Sequence, residues 1–175
     1  PVPLFAQPVN DYIIQCLRDL SVDAFTAVGE HGGYIDPLDF QLSNYPFQFN
    51  FAFPTESETV SLSPSSFPKI PYWWFLRSEN RCSDCQLSHL VPSEEDIEAQ
   101  VNKFIDRELP KCLDGFKSFT AQGFNMTSSP PKTTTTITKS NVEIALEMQT
   151  VIGKGPTTTT LENFRFPLDI KFRDI

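Results

Sequence analysis

The sequence predicts an α+β fold: two disulfide-linked helices packed on a largely antiparallel β-sheet. Three observations carry that expectation. Apolar residues recur at helical spacing over two stretches, about 8–29 and 93–109. A β-rich pattern of short alternating segments fills 116–175, with turn residues between them. Cys16 lies on the apolar stripe of the first helix and Cys112 just past the second, so the two thiols meet if the helices lie side by side.

The first helix places Val9, Ile13, Cys16, Leu17, Leu20, Ala24 and Val28 on one stripe. Asn10 or Asp11 can cap its start, and Gly29 with the following His-Gly-Gly-Tyr ends it. Residues 1–7 are read as an extended N-terminal segment, and 8–175 as a single extracytoplasmic domain. The opening Pro-Val-Pro-Leu-Phe resembles neither a signal peptide nor a natural start. It is read as processed or truncated, so any membrane attachment runs only through a missing N-terminal segment.

In residues 44–54, Tyr45, Phe47, Phe49, Phe51 and Phe53 alternate with Pro46, Gln48, Asn50 and Ala52. That is a period-2 strand with an aromatic stripe on one face, restricted by Pro46 to an edge or to a start after it. Such a stripe suits burial against helices. It also suits a sugar-binding platform, or an interface with another subunit. Tyr72–Leu76 reads as a second strand, and 77–90 as loop.

The second helix begins at Ser93, where Ser93 and Asp96 form a capping box with a shorter acid. Glu94, Glu95 and Asp96 suit the positive end of the helix dipole. Ile97, Val101, Phe104, Ile105 and Leu109 form its apolar face, and Pro110 is expected to break it or to start a short extra turn. Strands are expected at 116–124, 133–138, 142–151, 157–164 and 166–172.

Composition excludes several functions. The chain has 175 residues, 39% of them hydrophobic, and a net charge of −8. Wholesale disorder is excluded by the apolar content, and nucleic acid is disfavoured because phosphate binding needs clustered Lys and Arg. No apolar run approaches the roughly 18 residues that span a bilayer. With only 7 Gly, no Gly-rich phosphate loop is present.

The chemistry candidates centre on Cys82 and Cys85, a C-x-x-C pair. A thiol oxidoreductase needs that pair at a helix N-terminus, where the dipole lowers a thiol pKa, but Pro92 leaves no room for a long helix. A zinc site could use Cys82, Cys85 and His89 with Cys16 or Cys112, yet its second half would be two cysteines far apart in sequence. Two disulfides, Cys16–Cys112 and Cys82–Cys85, account for the even cysteine count more simply and point to an oxidising compartment. His31 and His89 are the only histidines, and neither lies in a hydrolase motif. His31 fits a turn; Asp36, Asp39, Glu94 and Glu95 fit solvated caps. Asn125-Met126-Thr127 is an N-glycosylation sequon, and the repeated Thr runs at 133–136 and 157–160 suit O-linked sugar.

Several strings resemble one family when taken together: residues 13–35, the Pro-Tyr-Trp-Trp-Phe-Leu of 71–76, residues 91–113 and the terminal 164–172. They are similar to uncharacterised archaeal envelope proteins that join a pilin-like or membrane-anchor segment to one extracytoplasmic domain. The resemblance implies a helix-then-sheet domain displayed outside the membrane and brings no catalytic residues to carry over; no cofactor is expected. The expected function is that of a non-enzymatic cell-surface structural protein, in the form of a self-assembling filament or pilus-like subunit. Its expected partners are copies of itself or other envelope proteins. A membrane-tethered module for a glycan or peptide is the alternative, and a thiol oxidoreductase or hydrolase the third.

Overall fold

A computed structural model describes residues 2–48, 57–61, 69–77 and 86–170. Its elements are α1 (Gln7–Glu30), α2 (Phe40–Ser43), β1 (Thr59–Ser61), β2 (Lys69–Pro71), β3 (Trp74–Arg77), β4 (Gln86–His89), α3 (Glu94–Leu113), α4 (Lys117–Thr120), β5 (Phe124–Ser128), β6 (Lys132–Ile137), β7 (Val142–Lys154) and β8 (Thr157–Leu168). The α+β class, with two long helices joined by a disulfide, is as expected. The chain divides into two compact units. One holds residues 1–24 and 101–175, the other residues 25–100.

In the first unit the sheet is built around β7. β6 pairs with its first half and β5 with its second, while β8 pairs along nearly all of it, and every pairing is antiparallel. Since β8 occupies one side, β5 and β6 share the other as a broken edge. Val142, Ile144, Leu146, Met148 and Ile152 of β7 are buried with Phe164 and Phe166 of β8. The opposite face carries Glu143, Glu147 and Gln149. This is the period-2 division that a half-buried sheet requires.

β7 and β8 are joined by Gly155 and Pro156, since Lys154 pairs with Thr157. Gly155 has φ +59°, the positive value that a type II′ hairpin needs first, and Pro156 cannot supply the second positive φ of type I′. A bulge follows further along. Glu147 faces Asn163 but Thr150 faces Leu161, so two residues of β7 oppose Glu162 alone. It falls where β6 ends and β5 begins, and there Gln149 receives the Ser129 N–H and donates its own to the Ser129 hydroxyl.

The buried face of the helices follows the stripe read from sequence. Val9, Ile13, Cys16, Leu17 and Ala24 of α1 and Val101, Ile105, Leu109 and Leu113 of α3 are buried. Cys16 and Cys112 form a disulfide with Cα atoms 6.0 Å apart. Beside it the Tyr12 hydroxyl donates to the Cys112 carbonyl, and the Tyr12 ring lies 5.4 Å from that of Phe119. Asp106 of α3 accepts the N–H of Thr133 on β6, which fixes helix to strand.

In the first unit four expectations require correction. Residues 4–6 are not extended but form a 3-10 turn that runs into α1, with Ala6 buried. Pro110 does not break α3, which continues to Leu113. The missing N–H affects only the last turn, and the burial of Leu113 and the Cys112 bridge hold that turn in place. Residues 116–123 are not a strand, and β5 begins only at Phe124. Asp114, Gly115 and Phe116 take φ of 45°, 60° and 57°, a left-handed turn that leads into α4. The strands expected at 157–164 and 166–172 are one strand, β8, over its described length. The bulge shifts its inward phase by one residue, so the alternation starts twice in the sequence.

The second unit contains two short antiparallel ribbons, β1–β2 and β3–β4, together with α2 and the adjoining turns of α1 and α3. Ser93 and Asp96 form the expected capping box: the Asp96 N–H donates to the Ser93 hydroxyl, and the Ser93 N–H donates to the Asp96 carboxylate. Gln100, only 1% exposed, accepts from the Ile35 N–H and donates to the Gly33 carbonyl, so the turn after α1 is pinned.

Candidate functional site

The residues singled out in the sequence fall into distinct places. Cys82 and Cys85 lie outside the described residues, as do Phe49, Phe51 and Phe53. Tyr45 and Phe47 are described, and they do not lie in a strand. Phe47 is buried, with its ring 4.8 Å edge-on to Tyr34 and 4.7 Å from Tyr45. Glu58 holds this segment: its carboxylate accepts from the Tyr45 hydroxyl and the Gln48 N–H, and its own N–H donates to the Gln48 carbonyl. Burial is the observed arrangement for Phe47, whereas Tyr45 is half-buried.

The polar candidates have local structural partners. His31 places Nδ1 2.7 Å from the Ile35 carbonyl, an atom that can only accept, so that nitrogen carries the proton. Asp36 accepts the Leu38 N–H, and Asp39 caps α2 through the Gln41 N–H. Tyr34 donates to the Leu90 carbonyl, and its pKa is pushed up to about 12, first by burial and then by Asp96 and Tyr45. A phenol so held stays protonated and acts as a donor. Among the described residues, no group of three or more His, Cys, Asp or Glu side chains could hold a metal ion.

Open depressions do occur on the outer face of the large sheet. One of about 620 Å³ is lined by Thr134, Thr136, Glu143, Ala145, Arg165 and Pro167 among others. It offers one carboxylate and one guanidinium but neither a nucleophile with a base nor a second acid, so it has no set for general acid–base work.

The most unusual surface lies on the second unit. Tyr72, Trp73 and Trp74 are consecutive and are 42%, 47% and 59% exposed. Folding normally removes such rings from water, because each buries 150 to 250 Å². Local bonds present them here. The Trp73 indole N–H donates to the Gly32 carbonyl at 2.7 Å, and the Trp73 carbonyl accepts from the Leu90 N–H. Trp74 pairs across the ribbon with His89, and their rings lie 5.2 Å apart. Gly32 takes φ +62°, a left-handed backbone that glycine adopts without strain, and this presents its carbonyl to the Trp73 indole. An apolar run such as Tyr-Trp-Trp-Phe-Leu has no alternation, so its sequence gives strand propensity without showing which rings face water.

The Cys16–Cys112 bridge belongs to an oxidising compartment. Among the described residues no helix is long and apolar enough to cross a membrane. No family model, curated protein or solved structure matches the chain.

Proposed function

We propose that the chain is a non-enzymatic structural protein of the cell surface. In this reading it contacts copies of itself or other envelope proteins through Tyr72, Trp73 and Trp74. The observation that carries the reading is the exposure of these three consecutive aromatic residues. Tyr and Trp are enriched where proteins meet, and exposed aromatic area of this kind favours association. The resemblance to archaeal envelope proteins supplies the location and an anchor for display. Strand exchange is the less suitable route to assembly, because residues 4–6 form a helical turn and Pro167 lies in the edge strand β8.

Sedimentation velocity over a wide concentration range tests this reading. The wild type should gain mass with concentration, and Tyr72→Ser and Trp74→Ser should remain monomeric with the Cys16–Cys112 bridge formed. A wild type that is monomeric throughout would remove self-assembly.

The pairing of the Trp74 ring with the polar edge of His89 favours a second reading, as a glycan-binding module, since flat rings with a polar neighbour suit the faces of sugars. Titrating intrinsic tryptophan fluorescence with oligosaccharides separates the two, because quenching that Trp74→Ser abolishes belongs only to the glycan reading.

A further inference from the structure

The sequon Asn125-Met126-Thr127 lies on β5, where the folded chain leaves room for an attached sugar. Asn125 and Thr127 are both exposed, whereas Phe124 between sheet and helices is buried. Residues two apart on a strand share a face, so the acceptor amide and the hydroxyl of the sequon both stand on the outer side. Across the ladder Asn125 faces Gly153, which in turn faces Thr158 on β8. A Cβ on Gly153 would stand 3.8 Å from the Asn125 Cβ and 3.7 Å from the Thr158 hydroxyl, so the glycine itself leaves open the position facing Asn125. Among the described residues the Asn125 amide has no hydrogen-bond partner. The other edge of β5 has no strand partner among them either.

We infer that Asn125 carries an N-linked glycan, transferred from a polyprenyl-phosphate-activated oligosaccharide. The amide Nδ2 attacks the anomeric carbon, and the new N–C bond forms as the bond from that carbon to the carrier phosphate oxygen breaks. The electron pair leaves with the phosphate, and the amide proton passes to a base of the transferase. Thr127 supplies the hydroxyl by which the sequon is recognised. This inference rests on the extracytoplasmic part of the proposed function, because the donor is presented outside the cytoplasm. In the folded chain β5 is hydrogen-bonded to β7 from Phe124 to Ser128. The acceptor must be free of that ladder, so transfer precedes the pairing of β5. Once attached, the sugar lies over Gly153 and along the outer edge of β5, where it obstructs the addition of a foreign strand.

The experiment is intact-mass and peptide analysis of the full chain, secreted by a host that makes N-glycans and kept non-reduced. The wild type and Thr127→Ser should carry one glycan on the peptide containing Asn125, and Asn125→Gln and Thr127→Val should carry none. Offered to a transferase with its lipid-linked donor, the reduced, unfolded chain should accept sugar and the folded chain should not. A secreted chain with the Cys16–Cys112 bridge and a bare Asn125 would overturn the inference alone. A chain with neither bridge nor sugar would overturn it together with the compartment it rests on. Equal modification of folded and unfolded chains would overturn the order of events.

Discussion

The hydroxyl of Tyr12 donates to the carbonyl of Cys112 at 2.8 Å across a separation of 100 residues, directly beside the bridge from Cys112 to Cys16. The two ties join the same pair of helices, one covalently and one through a polar contact, so their energetic weights can be compared at one place. Tyr12→Phe removes the hydrogen bond alone and should cost about 1 kcal/mol. Removing the bridge by Cys16→Ala with Cys112→Ala frees a loop of 96 residues, worth up to about 4.7 kcal/mol by the chain-entropy argument. Urea unfolding of both variants and of their combination measures the two terms. A loss from Tyr12→Phe that equals the loss from the bridge would refute this ranking.

Asp106 and Glu108, two residues apart on α3, should tilt the stability curve in opposite directions. Burial raises the Asp106 pKa above its ordinary 3.8, against the bonds from Thr133 that lower it. A raised carboxyl pKa means the folded chain holds the proton more tightly. The contribution of Asp106 is therefore full below its ordinary pKa and is lost as pH rises through the raised value. Glu108 is lowered from 4.5, chiefly by its hydrogen bond from Lys111. Its contribution is present above the ordinary value and is lost as pH falls through the lowered one. Stability of wild type minus Asp106→Asn should fall with rising pH across the acid range, and wild type minus Glu108→Gln should rise. Parallel curves would contradict both assignments.

The same aspartate has a geometric duty that its charge does not cover. Asp106→Asn keeps an oxygen for the Thr133 N–H, whereas Asp106→Ala leaves that donor without its acceptor. The alanine variant should lose about 1–3 kcal/mol, and the asparagine variant distinctly less at neutral pH. Hydrogen exchange at the Thr133 amide checks the assignment, since only the alanine variant should accelerate it.

Three glycine-to-alanine changes should differ in sign and size because their surroundings differ. Gly29 lies in α1 with nothing within 4 Å of an added Cβ, so Gly29→Ala should stabilise by about 0.5–1 kcal/mol. Gly115 has equally open space but φ +60°, and Gly115→Ala should cost about 1–2 kcal/mol from the backbone alone. Gly33 combines φ +98° with a Cβ position 2.4 Å from the Pro92 ring, so Gly33→Ala should be the most damaging. Thermal unfolding of the three variants gives the order directly, and a stabilising Gly115→Ala would show that the left-handed turn is not maintained.

Much of the architecture was legible from local rules. The stripe from Val9 to Val28 states its own period, Ser93 and Asp96 state a helix start, and Cys16 and Cys112 sit where two helices can share a bond. The turn at Asp114–Phe116 was not legible, because a left-handed run containing Asp and Phe contradicts intrinsic preference. It persists because Phe116 is buried and meets the edge of Tyr12, which lies far away in sequence. β8 was hidden for another reason: its phase depends on a bulge in the strand it pairs with. At the candidate surface the composition of Tyr72–Trp74 was visible, but its exposure was not. Exposure there follows from Gly32 and His89, and no local period connects those residues to the tryptophans.

The division of the chain also sets an order in time. The second unit is one continuous stretch, whereas the first is assembled from residues 1–24 and residues 101–175. A chain emerging from its N-terminus therefore completes residues 25–100 while α1 still lacks every strand of the large sheet. β7 and β8 meet through a two-residue connection and can zip as soon as both have emerged. Cys16 must stay a thiol, open to the wrong partner, until Cys112 arrives. Oxidation that runs ahead of synthesis would be the characteristic way for this protein to misfold.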